Sequence, residues 1–299
     1  MIDVSLPGTG GMMPLPGRYL ASMMCRVNGR MLLVDCGEGN QCSLKLLGWG
    51  FKNIDVICIT HFHADHISGL PGLLLTIGNA GRTEPLNMIG PEGLQRIVRS
   101  LCVIAPELPF PLEFHEAPKE LMFAGLTIRS LPLAHRIPCY AYNFELYRAG
   151  KFDVERAIAL GLPKEYWSVL QKSGEAFYNG RKFTADMVLG PPRKGIKITY
   201  CTDTRPVGSL PEFARRSDLL VCEGMYGDDE LLEKAISHRH MIFSESAAIA
   251  ASAGAKELWL THFSPAMTDP EQFISSASHI FPNTRVARDR LSKRFSFED

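Results

Sequence analysis

Thr60-His61-Phe62-His63-Ala64-Asp65-His66 gathers three histidines and a carboxylate within six positions. Imidazole nitrogens and carboxylate oxygens are metal ligands, and together they suit zinc first, with manganese or iron as alternatives. Spacing says how they would be used. In extended chain, residues two apart share a face, so His61 and His63 can grip one ion. On a helix the same two would point nearly opposite ways, because helical neighbours lie three or four apart. A tight turn after His63 can then send Asp65 and His66 to a second ion.

The elements that must position these residues are legible on both sides. Ile54-Asp55-Val56-Ile57-Cys58-Ile59 is a β-branched apolar run that reads as a buried strand, and Ile67–Leu75 reads as a turn running into a helix. The ligands therefore stand in a loop at the C-terminal end of a strand. Other strand ends carry the same residue types. His135 follows Leu126–Leu133, Asp203 follows Ile196–Cys201, and His262 follows Glu257–Leu260. Independent strands delivering ligand-type residues to one edge are what a site built on a sheet rim requires.

The remaining elements follow from turn and cap signals. Met1–Leu6 is a strand ending in the sharp turn Gly8-Thr9-Gly10-Gly11, and Asn28-Gly29 between Ala21–Val27 and Arg30–Val34 predicts a type I′ hairpin. The second strand ends at Asp35, which by its residues alone caps a turn before Gly37 or supports the ligand loop. Gln41–Leu47 is a short helix closed by Gly48. Leu86–Ile89 is a strand, and Pro91–Val103 a helix with proline just inside its start. Leu121–Phe123 and Leu126–Leu133 pair about Gly125. Asp218–Cys222 is a strand ending in Glu223, Ser244–Ala253 an alanine-rich helix, and Asp269 caps a helix from Pro270 to His279.

Residues 148–195 differ in character. They are more polar, with helical patches at Asp153–Leu160 and Pro163–Gln171 and punctuation at Gly161, Gly174, Gly180 and Gly190-Pro191-Pro192. From Gly150 to Gly195 there are eight Lys/Arg against five Asp/Glu, so the segment is mildly basic inside a neutral chain.

The 299 residues fit one large domain or two small ones, and 45% hydrophobic with 21% charged content excludes a disordered chain. Lys+Arg 32 balances Asp+Glu 32, so a polyanion would have to be drawn by a local patch. Eight cysteines are scattered singly, which excludes a disulfide framework; Cys58, Cys201 and Cys222 act as small hydrophobes in strands. No signal-peptide pattern opens the chain and no apolar run would span a bilayer, so a cytoplasmic location is expected.

His-x-His-x-Asp-His after a buried strand resembles the signature of the metallo-β-lactamase superfamily. Within it, Pro7-Gly8-Thr9-Gly10-Gly11, Asp35-Cys36-Gly37-Glu38-Gly39, Pro132-Leu133-Ala134-His135-Arg136, Asp203-Thr204 and Thr261-His262-Phe263-Ser264-Pro265 resemble the ribonuclease Z family of tRNA 3′-end endonucleases. The match runs in order over nearly the whole chain. It implies an α/β fold of the α+β kind, an αβ/βα sandwich of two packed β-sheets with helices outside. Residues 1–299 would form a single domain, and residues 148–195 an inserted arm that holds tRNA. The family's arm tip carries an adjacent Gly-Pro pair, whereas here Gly161-Leu162-Pro163-Lys164 separates them.

The resemblance also implies the chemistry. His61, His63 and His135 would hold one metal, Asp65, His66 and His262 the other, and Asp203 would bridge two Zn²⁺ ions. Two such ions form a clamp for attack on a phosphodiester, with Asp65 placed to take a proton from water. Asp35 would support the ligand loop by hydrogen bonding. In the family a histidine before the alanine-rich helix, paired with a glutamate, protonates the leaving oxygen, and His240 and Glu223 occupy those places. Glu223 lies in Cys-Glu-Gly-Met rather than His-Glu-Ala-Thr, and Ile242 stands where a threonine is usual. His238, two residues away, is a second candidate donor. The expected activity is cleavage of the 3′ trailer from precursor tRNA by a homodimer. The alternatives are a hydrolase of another phosphodiester or ester on the same fold, and a metal-stabilised RNA-binding protein that does not cleave.

Overall fold

The computed structural model describes residues 1–105, 107–191 and 193–298. Of the Gly190-Pro191-Pro192 punctuation, Pro192 lies outside the described residues. In chain order the strands are β1 (Ile2–Gly8), β2 (Ser22–Val27), β3 (Arg30–Val34), β4 (Ile54–Cys58), β5 (Leu86–Gly90), β6 (Leu112–Glu116), β7 (Glu120–Phe123) and β8 (Leu126–Pro132). They continue with β9 (Tyr140–Arg148), β10 (Glu175–Tyr178), β11 (Arg181–Thr184), β12 (Arg193–Cys201), β13 (Leu219–Glu223), β14 (Leu258–Thr261), β15 (Thr284–Val286) and β16 (Leu291–Phe295). One seven-stranded sheet runs β16-β1-β2-β3-β4-β5-β6, and the other runs β15-β14-β13-β12-β9-β8-β7.

In the first sheet β3 to β6 are parallel, and in the second so are β12 to β15. Parallel neighbours end on the same side, so each sheet presents several C-terminal ends to one rim. The β2–β3 turn has φ 50° at Asn28 and 77° at Gly29, the pair of positive values that a type I′ turn needs.

Each sheet buries one face under helices. Leu33, Ile57 and Met88 pack with Leu70, Leu73, Leu74 and Ile77 of the helix Leu70–Asn79. Leu220, Cys222, Leu258 and Leu260 pack with Phe243, Ala247 and Ala250 of the helix Phe243–Ala253. Val4, Leu6, Val34 and Val56 of the first sheet, and Ile198, Tyr200, Val221 and Trp259 of the second, are as fully buried but lie outside these clusters. They line the opposite faces, and Tyr142 Oη from β9 donates to the Ile59 carbonyl beyond β4 at 2.7 Å. The sheets therefore face each other with helices outside. A core truncation such as Leu73→Ala would cost ~2–5 kcal/mol.

Two compact units divide the chain: Met1–Leu146 with Ile196–Ser296, and Tyr147–Gly195 with the chain's end from Phe297. The smaller has its own core of Ala157, Leu162, Leu170, Ala176, Phe183 and Val188. Its helix Val154–Ala159 is capped by Asp153, whose carboxylate accepts from Arg156 N at 3.0 Å, and Lys164–Ser173 ends at Gly174 with φ 77°. The hairpin β10–β11 turns on Asn179 and Gly180, at φ 48° and 71°.

The helix expected over Pro91–Val103 runs only from Leu94 to Leu101, followed by a 3₁₀ turn at Cys102–Ile104. Pro91 precedes it. Gly93, at φ 89°, is its true start, and the N–H groups of Gly93 and Gln95 donate to the Glu116 carboxylate at 3.1 Å each. The cap comes from β6, a strand the sequence reading did not contain. The helix from Pro270 likewise opens with a 3₁₀ turn, Pro270–Phe273, before Ile274–Ser278.

Candidate active site and metal centre

The ligand loop leaves β4 in extended conformation. His63 has φ −69° and ψ 151°, and only then does the chain close into the single helical turn Ala64–Ile67. His61 and His63 thus share a side, with His61 Nε2 2.9 Å from His63 Nδ1, and the turn carries Asp65 and His66 away to the other. His135, beyond β8, joins the first pair, its Nε2 3.3 Å from His63 Nδ1. His262, beyond β14, joins the second, its Nε2 3.5 Å from Asp65 Oδ2, while His66 Nε2 lies 3.5 Å from that same oxygen. Asp203, beyond β12, stands between the two groups. Its Oδ2 is 3.3 Å from both His66 Nε2 and His262 Nε2, and its Oδ1 is 3.9 Å from His61 Nε2.

Seven sequence-predicted ligands therefore converge. The ligand atoms of His61, His63 and His135 lie within 4.8 Å of one another, and so do those of Asp65, His66 and His262. Buried polar atoms are normally hydrogen-bonded. Here His66 Nε2, Asp203 Oδ2 and both ring nitrogens of His262 are buried without a hydrogen-bond partner among the described residues. Unpaired Nε2 atoms of His66 and His262 beside an unpaired carboxylate oxygen are what a bound cation would satisfy, so the residues present fit metal binding.

The charge state fits as well. Burial pushes the Asp65 carboxyl up, but His66 and His262 beside it prevail and hold it well below the usual carboxylate range. Burial is likewise outweighed at Asp203 by His262, His66 and His61, which keep it ionised. Burial lowers His61, His63 and His135. Ionised carboxylates and neutral imidazoles are the protonation states that bind metal. Burial lowers His66 too, but Asp203, Asp35 and Asp65 outweigh it and raise that imidazole, so a cation bound there would displace its proton.

Asp35 is fully buried, and the alternative of a simple turn cap does not describe it. Its Oδ2 lies 2.8 Å from His66 Nδ1 and accepts from Thr60 Oγ1 at 2.9 Å, while its Oδ1 accepts from Thr60 N at 2.8 Å. With Nδ1 given to Asp35, Nε2 is the His66 atom left to face the site. Asp35, Asp203 and His262 share a backbone feature, with φ of 58°, 55° and 60°. Each stands where the chain turns sharply off a strand, a left-handed conformation costing ~1–2 kcal/mol at a residue other than glycine. Two glycines close the floor. A Cβ at Gly37 would lie 1.9 Å from the Asp65 carbonyl, and one at Gly11 2.8 Å from His262 Cε1.

His240 Nδ1 lies 2.9 Å from Glu223 Oε2. Burial lowers His240, but the Glu223 carboxylate outweighs it and holds the imidazolium up to about 9. Glu223, at the end of β13, is itself fixed by Thr204 N, which donates to Oε1 at 2.6 Å. His238 is exposed and differently engaged, its Nδ1 2.7 Å from Tyr226 Oη.

Sequence reasoning missed several supports. Met12 N donates to Asp65 Oδ2 at 2.8 Å, Thr60 orients the loop, and Arg205 ties the His240 carbonyl to the Glu245 carboxylate. Glu245 accepts from Ile242 N at 3.1 Å, so it caps the alanine-rich helix without the usual threonine. Arg205 directly follows Asp203-Thr204, Thr60 heads the ligand loop and Glu245 lies three residues after Ile242, so these could have been found locally; Met12 with Asp65 joins segments far apart in sequence. A cavity of about 320 Å³ opens over the cluster, lined also by Met12, Arg136, Tyr226 and His238.

The two-sheet sandwich with ligand-bearing strand ends on its rim is that of a metallo-β-lactamase-fold protein. Two solved structures share it over 98% and 99% of this chain: the metallo-beta-lactamase fold protein YhfI from Bacillus subtilis (98% of that chain, TM-score 0.72, 19% identity) and human tRNase Z, short form (100%, TM-score 0.71, 24% identity). A family model described as anti-Pycsar protein Apyc1 matches residues 2–102. The chain belongs to the ribonuclease Z family of hydrolytic endoribonucleases. It is 52% identical over 301 residues to the Ribonuclease Z of Lachnoclostridium phytofermentans, covering 100% of this chain and 99% of that one.

Proposed function

We propose that this chain is a zinc-dependent endoribonuclease that removes the 3′ trailer from precursor tRNA, working as a cytoplasmic homodimer. The observation that carries the reading is full-length similarity to Ribonuclease Z together with seven ligand-type side chains meeting at one rim. Among the described residues no helix is long and apolar enough to cross a membrane. His61, His63 and His135 would hold one Zn²⁺, Asp65, His66 and His262 the other, with Asp203 between. When bound, such a pair polarises a phosphodiester and lowers the pKa of water.

The chain's own groups supply the rest. Asp65, steadied by Met12 N, accepts a proton from the attacking water. His240 gives Nδ1 to Glu223 and keeps Nε2 for the leaving 3′-oxygen. His240 is preferred over His238 because its Nδ1 lies 3.8 Å from Asp203 Oδ1, whereas His238 is engaged by Tyr226. The smaller unit, mildly basic, would hold tRNA and take no part in the chemistry.

Incubation of precursor tRNA carrying a 3′ trailer tests this, with release of the trailer and a 3′-hydroxyl on the tRNA as the result expected. The separated Gly161-Leu162-Pro163 favours a second reading, a hydrolase of another phosphodiester. Turnover of bis(p-nitrophenyl) phosphate without trailer cleavage would select it, and turnover of neither would select a non-cleaving RNA binder.

A further inference from the structure

A second, smaller cavity of about 190 Å³ stands next to the ligand cluster. Its walls are the stretches that immediately follow two site residues: Met225–Asp228 after Glu223, and Ser264–Asp269 after His262. Tyr226 lines both cavities. It lies three residues beyond Glu223, so their Cα atoms are at most ~11 Å apart. With Tyr226 in both walls, a group held in the smaller cavity would lie beside the space over the ligand cluster.

The lining chemistry narrows what that group is. Met225 and Met267 are buried thioethers, and Tyr226 and Phe273 add aromatic rings, a polarizable wall suited to a flat ring system. The rim is polar, with the Gln272 amide and the Asp228 and Asp269 carboxylates. Asp228 and Asp269 already accept from the N–H groups of Glu230 and Glu271, at 3.0 and 3.2 Å, and the Lys234 ammonium also lines the cavity, so the rim offers mixed polarity and no single charge. The volume admits one ring system but not a nucleotide with its sugar and phosphate. Tyr226 is not free to swing out of this wall: its Oη meets His238 Nδ1 at 2.7 Å, and the Lys234 ammonium lies 5.3 Å from its ring centroid.

We infer that this cavity is a base subsite, taking the unstacked nucleobase beside the scissile phosphate. Tyr226, 5% exposed, and Phe273 line the wall, and Gln272, whose Nε2 donates to Asp269 Oδ2 at 3.2 Å, keeps its carbonyl oxygen for the base edge. The inference rests on the RNA-cleaving reading above and adds to it a site that selects a single-stranded nucleotide.

Ala266, exposed on the cavity wall, allows the test. Ala266→Phe fills the space without touching a ligand or the His240–Glu223 pair, and Gln272→Ala removes the edge reader. Each would be assayed on bis(p-nitrophenyl) phosphate, on a trailer-bearing RNA, and on RNAs made abasic at either nucleotide flanking the cut. In the wild type one abasic position should lower kcat/KM about tenfold, the size of one base stacked on an aromatic ring. Ala266→Phe should lose a similar factor on intact RNA, lose nothing further on that abasic RNA, and keep its bis(p-nitrophenyl) phosphate turnover. Gln272→Ala should lose less, and on intact RNA only. Wild-type kcat/KM for Ala266→Phe on intact RNA overturns the inference while RNA cleavage stands, and so do losses that simply multiply. A wild type that turns over bis(p-nitrophenyl) phosphate but cleaves no RNA removes both readings.

Discussion

His240→Ala tests protonation of the leaving oxygen against a metal-holding role, because a ring nitrogen of His240 also lies within 4.8 Å of ligand atoms of Asp203 and His262. The side chain touches Glu223 at 2.9 Å and comes no nearer than 3.8 Å to Asp203, so its removal leaves the seven proposed ligands in place. Metal content should not change. Loss of a general acid costs about 10²–10⁴-fold, or ~2.7–5.4 kcal/mol of barrier, on an RNA whose leaving group is a basic 3′-oxygen. The loss should shrink on bis(p-nitrophenyl) phosphate, because p-nitrophenolate leaves without a proton. Single-turnover rates on the two substrates give the comparison. The proton has a second readout. In the ion-free chain burial lowers His240 but Glu223 holds it at about 9, so its ring stays protonated below that pH and discharges as pH rises through it. Glu223→Gln removes the carboxylate and should bring that titration down, as followed by NMR of the ring proton. An equal rate loss on both substrates would refute the acid role and leave His240 as a phosphate-binding group. A wild-type rate on RNA would move the role to His238 or to water.

Asp35→Ala should lower metal affinity about 10–100-fold, because His66 Nδ1 loses the partner that orients it; chelator competition measures this, and unchanged affinity would make Asp35 purely structural. Elemental analysis of protein prepared without chelator should find up to two transition-metal ions per chain, and under one after zinc reconstitution counts against the paired site. Deleting residues 150–190 should weaken tRNA binding and spare bis(p-nitrophenyl) phosphate turnover, and loss of both in a folded variant would end that division of labour.

The ligand set was legible because most members follow an apolar run whose strand character is plain. Ile54–Ile59, Ile196–Cys201 and Glu257–Leu260 are mostly apolar, each with a single charged residue, and a residue after such a run emerges at a sheet rim, whereas His135 is assigned through the family resemblance. The strands that escaped notice lack this signal. β6 reads Leu-Glu-Phe-His-Glu and sits at a sheet edge, with no buried residue in its five. β9 mixes Asn and Glu with aromatics, and although β8 directly precedes it, its other partner, β12, lies beyond the whole of the smaller unit in sequence. Asn179-Gly180 carried the same turn signal as Asn28-Gly29 and would have revealed β10–β11. The start of the helix at Leu94 was hidden for a different reason, since its capping carboxylate, Glu116, comes from β6. Tyr226 with His238 joins the loop after β13 to the end of the helix Leu232–His238, and Arg205 with Glu245 joins the loop after β12 to the helix Phe243–Ala253, and no local pattern encodes either.

Cleavage of one precursor tRNA with a short 3′ trailer, by chain stripped of metal and then reloaded with zinc, tests the central claim most directly. The account predicts no cleavage by the stripped chain, and after reloading a single cut that leaves a 3′-hydroxyl on the tRNA and releases the trailer. Reloaded chain that binds two ions and turns over bis(p-nitrophenyl) phosphate yet leaves the trailer uncut would contradict it.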